Sequence, residues 1–351
     1  MPRESLPEMK FLVIGAGAIG TYIGGSLALA GYSVVFVERP DVAESLAQTG
    51  LCLHLKGGQQ CVHAPHVVCS MDEALTCGPF DVGVLAVKAY DTPFLIEMLR
   101  PYAVALPPFL SFQNGVENEK LLADLLGEEK VISGTLTSAI GRRGPGEIVL
   151  ERLRGIGVAD THFLAGPLVG VLDAAGLEAV KYERADSMKW SKLLTNLWAN
   201  ATSAILDMSP VEIYRHPGLC RLELDMEREA LRVMRALHIP VCDLPGTPVK
   251  LMACLIKRMP GFLLAPLLQP VIGKGRGEKM PSFHIDLHSR RGQSEVGYLN
   301  GAVVRFGEQS GVETPVNRLL TETLTALTQG ELPPETYSRQ PEKLLARLGK
   351  V

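Results

Sequence analysis

Two groups of residues in this chain have types and spacings that can do chemistry. The first is Gly15-Ala16-Gly17-Ala18-Ile19-Gly20. An apolar run at Lys10–Ile14 precedes it. The small-residue segment 18–30 follows, and then a second apolar run, Tyr32–Val37, closes in Glu38-Arg39. In such a strand–turn–helix–strand unit, the first glycine permits the tight turn. The second lets the backbone approach a pyrophosphate, and the third lets helix and strand pack closely. The start of the helix offers N–H groups and a positive dipole end to the anion. Gly15, Ala16, Gly17, Ala18, Ile19 and Gly20 are therefore read as a dinucleotide site. Glu38 lies near the position that holds a ribose diol, and Arg39 can meet a 2′-phosphate. Together they leave the cofactor open, with NADPH favoured over NADH.

The second group is Lys192, Asn196 and Asn200, spaced four apart in the segment KWSKLLTNLWAN. On one helix they stack along one face. Trp190, Leu193, Leu194, Leu197, Trp198 and Ala201 make a broad apolar face on the other side. A polar stripe of this kind is either solvated surface or a row of substrate contacts. Lys88 and Asn114 stand just past the ends of two apolar runs, Asp81–Val87 and Phe109–Phe112. In an open α/β sheet, ligands gather at the carboxyl ends of strands.

The elements that must position these groups change character along the chain. Up to about residue 183, short apolar runs alternate with helical patterns, which implies a parallel sheet covered on both faces. Further strands are expected at Leu51–Leu55, Val62–Val68, Val131–Ile140 and Glu147–Leu150, with a turn at Gly141–Gly146. Beyond, the patterns are helical. One long helix is expected over Asp186–Leu206. Another covers Gly218–His238, with Glu223, Asp225, Glu227 and Arg228 on its wet side. A kinked pair spans Leu251–Leu268, and helices at His284–Gly307 and Pro315–Leu327 close the chain. The fold class is thus α/β: an N-terminal Rossmann-type doubly wound sheet over 9–183 and an all-α domain over 184–340.

Composition narrows the function classes. A length of 351 residues suits two domains, and a net charge of −3 without a basic run argues against a nucleic-acid partner. No charge occurs between Lys10 and Glu38, but glycines punctuate that stretch, so it reads as strands and a helix rather than a membrane span. Arg3, Glu4 and Glu8 speak against a signal peptide. The seven cysteines include no CxxC and are taken as small apolar fillers of a reduced, cytoplasmic protein. The histidines look scattered, and no metal site is expected. His63 and His66 fall in a strand-like run where positions three apart face opposite ways.

More specific residues lie in the second half. Lys189-Trp190-Ser191-Lys192-Leu193-Leu194-Thr195-Asn196, continuing to Asn200, resembles the central helix of the ketopantoate reductases (2-dehydropantoate 2-reductases). Pro281-Ser282-Phe283-His284-Ile285-Asp286, Ser294-Glu295-Val296-Gly297-Tyr298-Leu299-Asn300-Gly301 and Glu313-Thr314-Pro315-Val316-Asn317 resemble the same family. The GAGAIG turn and the steps Val87-Lys88-Ala89 and Gln113-Asn114-Gly115 fit it too. The resemblance implies a Rossmann domain joined to a helical one, with the active site in the cleft. It implies hydride transfer from NADPH to the C2 ketone of 2-dehydropantoate, a 2-oxo acid. Lys192 would protonate the ketone oxygen and Glu295 would share its hydrogen bonding. Asn196, Asn200, Ser282 and Asn114 would hold substrate, while Arg39, Lys88, Asn114 and Glu295 would face the cofactor.

Chemistry supports those roles. Negative charge builds on oxygen as hydride reaches carbon, and an ammonium aimed there stabilises it and supplies the proton. Asparagine both donates and accepts, which suits a substrate carrying hydroxyl and carboxylate groups. Two segments depart from the family pattern. Leu244–Met280 is long and apolar, with a basic loop at Gly273–Met280, and suits a pocket lid or a homodimer surface. Arg142–Arg154 is a basic, glycine-rich loop. Both leave room for a reductase of another 2-oxo or 3-hydroxy acid. A non-catalytic dinucleotide sensor is the reading from another class.

Overall fold

The computed structural model describes residues 7–259, 279–289 and 291–348. They divide into two compact units. One takes in Met1–Gln113, Glu117–Lys189 and Leu244–Thr247; the other takes in Asn114–Val116, Trp190–Asp243 and Pro248–Val351.

The first unit runs β1 (Lys10–Ile14), α1 (Ala18–Leu29), β2 (Ser33–Val37), α2 (Pro40–Thr49), β3 (Leu51–Leu55), β4 (Gly58–Val62), β5 (His66–Val68), α3 (Met71–Thr76) and β6 (Val82–Leu85). It continues with α4 (Thr92–Leu99), β7 (Phe109–Ser111), α5 (Asn118–Leu126), β8 (Val131–Leu136), β9 (Ala139–Gly144), β10 (Glu147–Arg152), β11 (Ile156–Ala159), α6 (Ala165–Ala174) and β12 (Ala179–Tyr182). Eight strands form one sheet in the order β12-β11-β8-β7-β6-β1-β2-β5. Neighbours are parallel except β8 and β11. The stretch β5-β2-β1-β6-β7-β8 has the strand order of a dinucleotide-binding sheet. Successive side chains of β1 serve opposite cores: Phe11 and Val13 join Ile23, Leu27 and Phe36, while Leu12 and Ile14 join Val35, Leu85 and Phe109. Burial on both faces is why these strands read as unbroken apolar runs.

The stretch Val62–Val68 is not one strand. The chain turns back earlier, so that β4 pairs antiparallel with β3 and β5 joins the main sheet at β2. Arg142–Arg154 is not a loop either. It holds the second half of β9 and all of β10, where a strand is expected at Glu147–Leu150, and the two join β3 and β4 in a second sheet of order β4-β3-β10-β9. Cys52 and Cys61 are register partners in β3 and β4 and form a disulfide. The reading of all seven cysteines as reduced fillers fails there, because facing strand positions bring the two sulfurs together. Cys220 is buried as a filler, but Cys69 is exposed. β11, α5, α6 and β12 carry no strong sequence signal of their own and complete the sheet and its cover.

The second unit is helical. α7 (Ala185–Leu197) enters it from the first unit. Then come α8 (Asn200–Leu206), α9 (Pro210–Arg215), α10 (Pro217–Ala236), α11 (Val249–Arg258), α12 (Ser282–His288), α13 (Asn300–Ser310), α14 (Pro315–Thr328) and α15 (Pro341–Leu348). The single helix expected over Asp186–Leu206 is broken: Ala199 is buried with φ 50°. The cause is Glu223 on α10, which is buried rather than wet. Its carboxylate accepts from the N–H of Ala199 at 2.6 Å, from the hydroxyl of Thr202, and from the hydroxyl of Tyr214 at 3.3 Å. Glu227 is buried as well, whereas Asp225 and Arg228 pair at 3.0 Å in a half-exposed position. A third acid, Glu229, accepts from the N–H groups of Val316 and Asn317, capping α14. Burial pushes its carboxyl up. The expected helix His284–Gly307 is likewise two helices with a short 3-10 turn at Glu295–Tyr298 between them.

The first half of the Leu251–Leu268 pair is seen as α11. Its second half lies outside the described residues, as does most of the basic loop Gly273–Met280. Among the described residues, no helix is long and apolar enough to cross a membrane. The charge-free stretch after Lys10 is β1, α1 and β2, as its glycines suggest.

One buried ion pair ties the first unit together. The ammonium of Lys189 lies 2.7 Å from Glu119 on α5 and donates to the carbonyl of Gln113 at 2.6 Å. Removing one partner strands the other charge away from water. Lys189→Met should therefore destabilise the protein by about 3–5 kcal/mol, measured by denaturant unfolding. A loss within the scatter of surface substitutions would mean that the pair carries no such weight.

Candidate active site

The dinucleotide turn follows β1. Gly15 has φ +92°, a conformation that glycine adopts without strain. A Cβ on Gly20 would lie 1.8 Å from the carbonyl oxygen of Gly15, so helix and turn meet backbone to backbone. Gly17 differs. A Cβ there would meet nothing within 4 Å. The protein itself does not require glycine at that position, whereas a pyrophosphate lying against the backbone would. Gly17 is also the N-cap of α1 and has no side chain to satisfy the first-turn N–H groups. Ala18 and Ile19 open that helix. The turn thus fits a dinucleotide on its own geometry.

Glu38, at the end of β2, bends back to this turn. Its carboxylate accepts from the N–H of Ala16 at 2.6 Å and from the N–H of Arg39 at 3.0 Å. The Arg39 side chain is 71% exposed and lies 3.6 Å from Asp41. Lys88 is half-buried, just past β6. The buried amide of Gln113 donates to the hydroxyl of Thr92 at 2.7 Å and, at longer range, to the carbonyls of Val87 and Lys88. Thr92 donates in turn to Asn118 at 3.0 Å. This cluster locks the loop after β6 to the loop after β7, and with it the backbone of Lys88. Gln113 and Lys189 stand inside the quoted motifs without a role of their own, and Thr92 and Asn118 carry no signal in the sequence. A lysine on the apolar side of a helical pattern was the available sign.

In the second unit the expected substrate residues meet. Asn196 donates to the side-chain oxygen of Asn114 at 2.9 Å, and Asn114 donates to Glu295 at 3.4 Å. Asn200 donates to the carbonyl of Asn196 at 3.0 Å and to the hydroxyl of Ser282 at 3.3 Å. The Asn200 side-chain oxygen accepts from the N–H of Phe283 at 3.0 Å. Glu295, Asn114, Asn196, Asn200 and Ser282 therefore form one hydrogen-bonded chain. The break at Ala199 removes Asn200 from the continuous stripe, because it begins a new helix. Its side chain nonetheless reaches back to the last full turn of α7.

Lys192 is half-buried on α7, one turn before Asn196 and on the same face. Glu295 is 1% exposed. It sits at the start of its 3-10 turn, capped by Ser294, whose hydroxyl accepts from the N–H of Val296. The second unit thus presents an ammonium, a carboxylate and an amide–hydroxyl row. These are the groups that protonate an oxygen and bind a polar acid.

The two kinds of glycine separate by experiment. Gly20→Ala should lower the melting temperature, because the added methyl meets backbone. Gly17→Ala should leave the melting temperature unchanged and weaken dinucleotide binding by about tenfold or more. Equal thermal loss in both variants would mean that Gly17 is constrained by the protein rather than by a ligand.

Comparison with known proteins finds relatives of both halves of the chain. Residues 11–161 match the family model described as Ketopantoate reductase PanE/ApbA, and residues 184–328 match Ketopantoate reductase PanE/ApbA C terminal. A 2-dehydropantoate 2-reductase of Archaeoglobus fulgidus is 27% identical over 324 residues, covering 91% of this chain and 97% of that protein. A PanE/ApbA family ketopantoate reductase from Ralstonia eutropha JMP134 superimposes with a TM-score of 0.77 at 27% identity, covering 92% of this chain and 99% of the other. A D-mandelate dehydrogenase solved with NADH and anilino(oxo)acetate shares the fold, with a TM-score of 0.72 at 22% identity and coverage of 92% and 99%. With both halves of the chain matched, in order and nearly end to end, this protein belongs to the ketopantoate reductase family.

Proposed function

We propose that this oxidoreductase reduces the C2 ketone of 2-dehydropantoate to pantoate, a step of pantothenate and coenzyme A synthesis, and that it uses NADPH. The observation that carries the reading is the chain Glu295–Asn114–Asn196–Asn200–Ser282, with Lys192 one helical turn before Asn196. When bound, the reduced nicotinamide supplies the hydride. The electron pair of the ketone π bond moves to oxygen, and Lys192 Nζ delivers a proton there, leaving neutral amine and alcohol. Asn196, Asn200 and Ser282 hold the substrate's hydroxyl and carboxylate oxygens, since each can donate to one and accept from another. Glu295 accepts from the C2 hydroxyl as it forms, and it already accepts from the Asn114 amide at the head of the row. Arg39 supports NADPH because its guanidinium stands exposed just beyond β2, where a 2′-phosphate would arrive.

Loss of NADPH absorbance with 2-dehydropantoate tests the activity, run beside NADH and a panel of other 2-oxo acids. Fast turnover with 2-dehydropantoate alone is expected. Response only to another acid would keep the reaction type and change the substrate. Lys192→Ala should lower kcat by roughly 10²-fold or more while NADPH still binds. Loss of cofactor binding together with turnover would make Lys192 structural.

For the cofactor, Arg39→Ala should raise the KM for NADPH by about tenfold or more and leave that for NADH unchanged, as expected for one charge-assisted phosphate contact. Equal loss for both cofactors would remove Arg39 from the site.

A further inference from the structure

Away from these residues, the end of α8 and the helix α12 bring together a different set of side chains. α8 and α12 lie side by side with their starts together, where Asn200 meets Ser282 and Phe283. Beyond that contact stand Asp207, just past α8, and His284 and His288, the third and last residues of α12. His284 and His288 are four apart and so share a face of that helix. One ligand atom from each of the three residues lies within 4.8 Å of the other two.

The details suit a metal more than a closed hydrogen-bond group. His284 Nε2 meets the Asp207 carboxylate at 2.8 Å. His288 is fixed through Nδ1, which bonds the carbonyl of His284 at 2.9 Å. That bond makes Nδ1 the protonated nitrogen of the neutral ring and leaves Nε2 as the ligand atom, the usual arrangement for a metal-binding histidine. The neighbouring Arg339 is engaged elsewhere. Arg339 donates to the backbone carbonyl of Asp207 at 3.3 Å, and its other arm pairs with Glu212. Tetrahedral ligands at zinc distances stand about 3.3 Å apart. Closing from 4.8 Å needs rotation of the exposed Asp207 carboxylate and a small shift of the exposed His288 ring, which stacks on His284 with centroids 4.0 Å apart.

We infer that Asp207, His284 and His288 form a binding site for a divalent transition ion of the zinc class, with two imidazole nitrogens, one carboxylate oxygen and water completing the shell. Two nitrogens and one oxygen with an open position match zinc's preferences, and an oxygen-seeking ion such as magnesium would find too few ligands. The ion would clip the end of α8 to α12, two helices whose first residues, Asn200 and Ser282, belong to the hydrogen-bonded chain. It would stabilise that pairing without touching it.

The test is calorimetric titration of ZnCl2 into the metal-stripped full-length protein, with thermal melts in parallel. Wild type should bind one equivalent and melt a few degrees higher with zinc. His288→Ala changes an exposed side chain, and Asp207→Asn retains a residue that tolerates the left-handed backbone at φ 50°. Each should weaken zinc binding by about tenfold or more, with the zinc-free melting temperature unchanged. Two results would overturn the site. One is no zinc binding at micromolar concentrations. The other is zinc binding unaffected by either variant, which would move the ion elsewhere, for example to Cys77 and His66, whose Sγ and Nε2 lie 3.6 Å apart.

Discussion

The carboxylate of Glu223 is shut away from water, and three groups meet it: the N–H of Ala199 and the hydroxyls of Thr202 and Tyr214. A buried carboxylate without donors would cost several kcal/mol, so its burial depends on donors such as these. Their formation fixes Ala199 in a left-handed conformation that costs about 1–2 kcal/mol for a residue with a Cβ. A charge-assisted bond offsets that cost. One helix ends and another begins at this point. The direction of α8, and with it the position of Asn200, follows from a side chain on α10.

The amide row then behaves as a single unit. Each asparagine has more donors and acceptors than one neighbour can satisfy: the Asn196 side chain bonds Asn114, while Asn200 bonds both Ser282 and backbone at Asn196 and Phe283. Such networks polarise along their length and hold their members in set orientations before any ligand arrives. Preset dipoles are more effective in catalysis than mobile ones, because the reacting system does not have to reorganise them.

Much of this arrangement can be read from residue order alone. The βαβ unit at Lys10–Val37 follows from apolar runs and glycine spacing, and the resemblance to the family points to the five polar members of the row. What escaped shares one physical cause: long-range partners. Glu223 and Glu227 look solvated because a charge on a helix normally is, and only the fold supplies the buried donors that Glu223 uses. The helix break at Ala199 has no glycine or proline to announce it. The two strands of Val62–Val68 are separated by pairing choices made with β3 and β2. Cys52 and Cys61 face each other only once the β3–β4 register exists. The likeness of Lys189 to a surface lysine hides its role until Glu119 and the Gln113 carbonyl are brought to it.

The helical unit is not a contiguous piece of chain. Asn114–Val116 belongs to it, although Gln113 and Glu117 on either side belong to the first unit, and Leu244–Thr247 makes the reverse excursion. A fragment begun anywhere near residue 185 would contain Asn196, Asn200, Ser282 and Glu295 but not the amide that joins Asn196 to Glu295. Dissection at a single point, the usual way of isolating a catalytic half, would therefore produce a body with its central link missing. Swapping C-terminal halves between relatives carries the same penalty unless the three-residue insert travels with them.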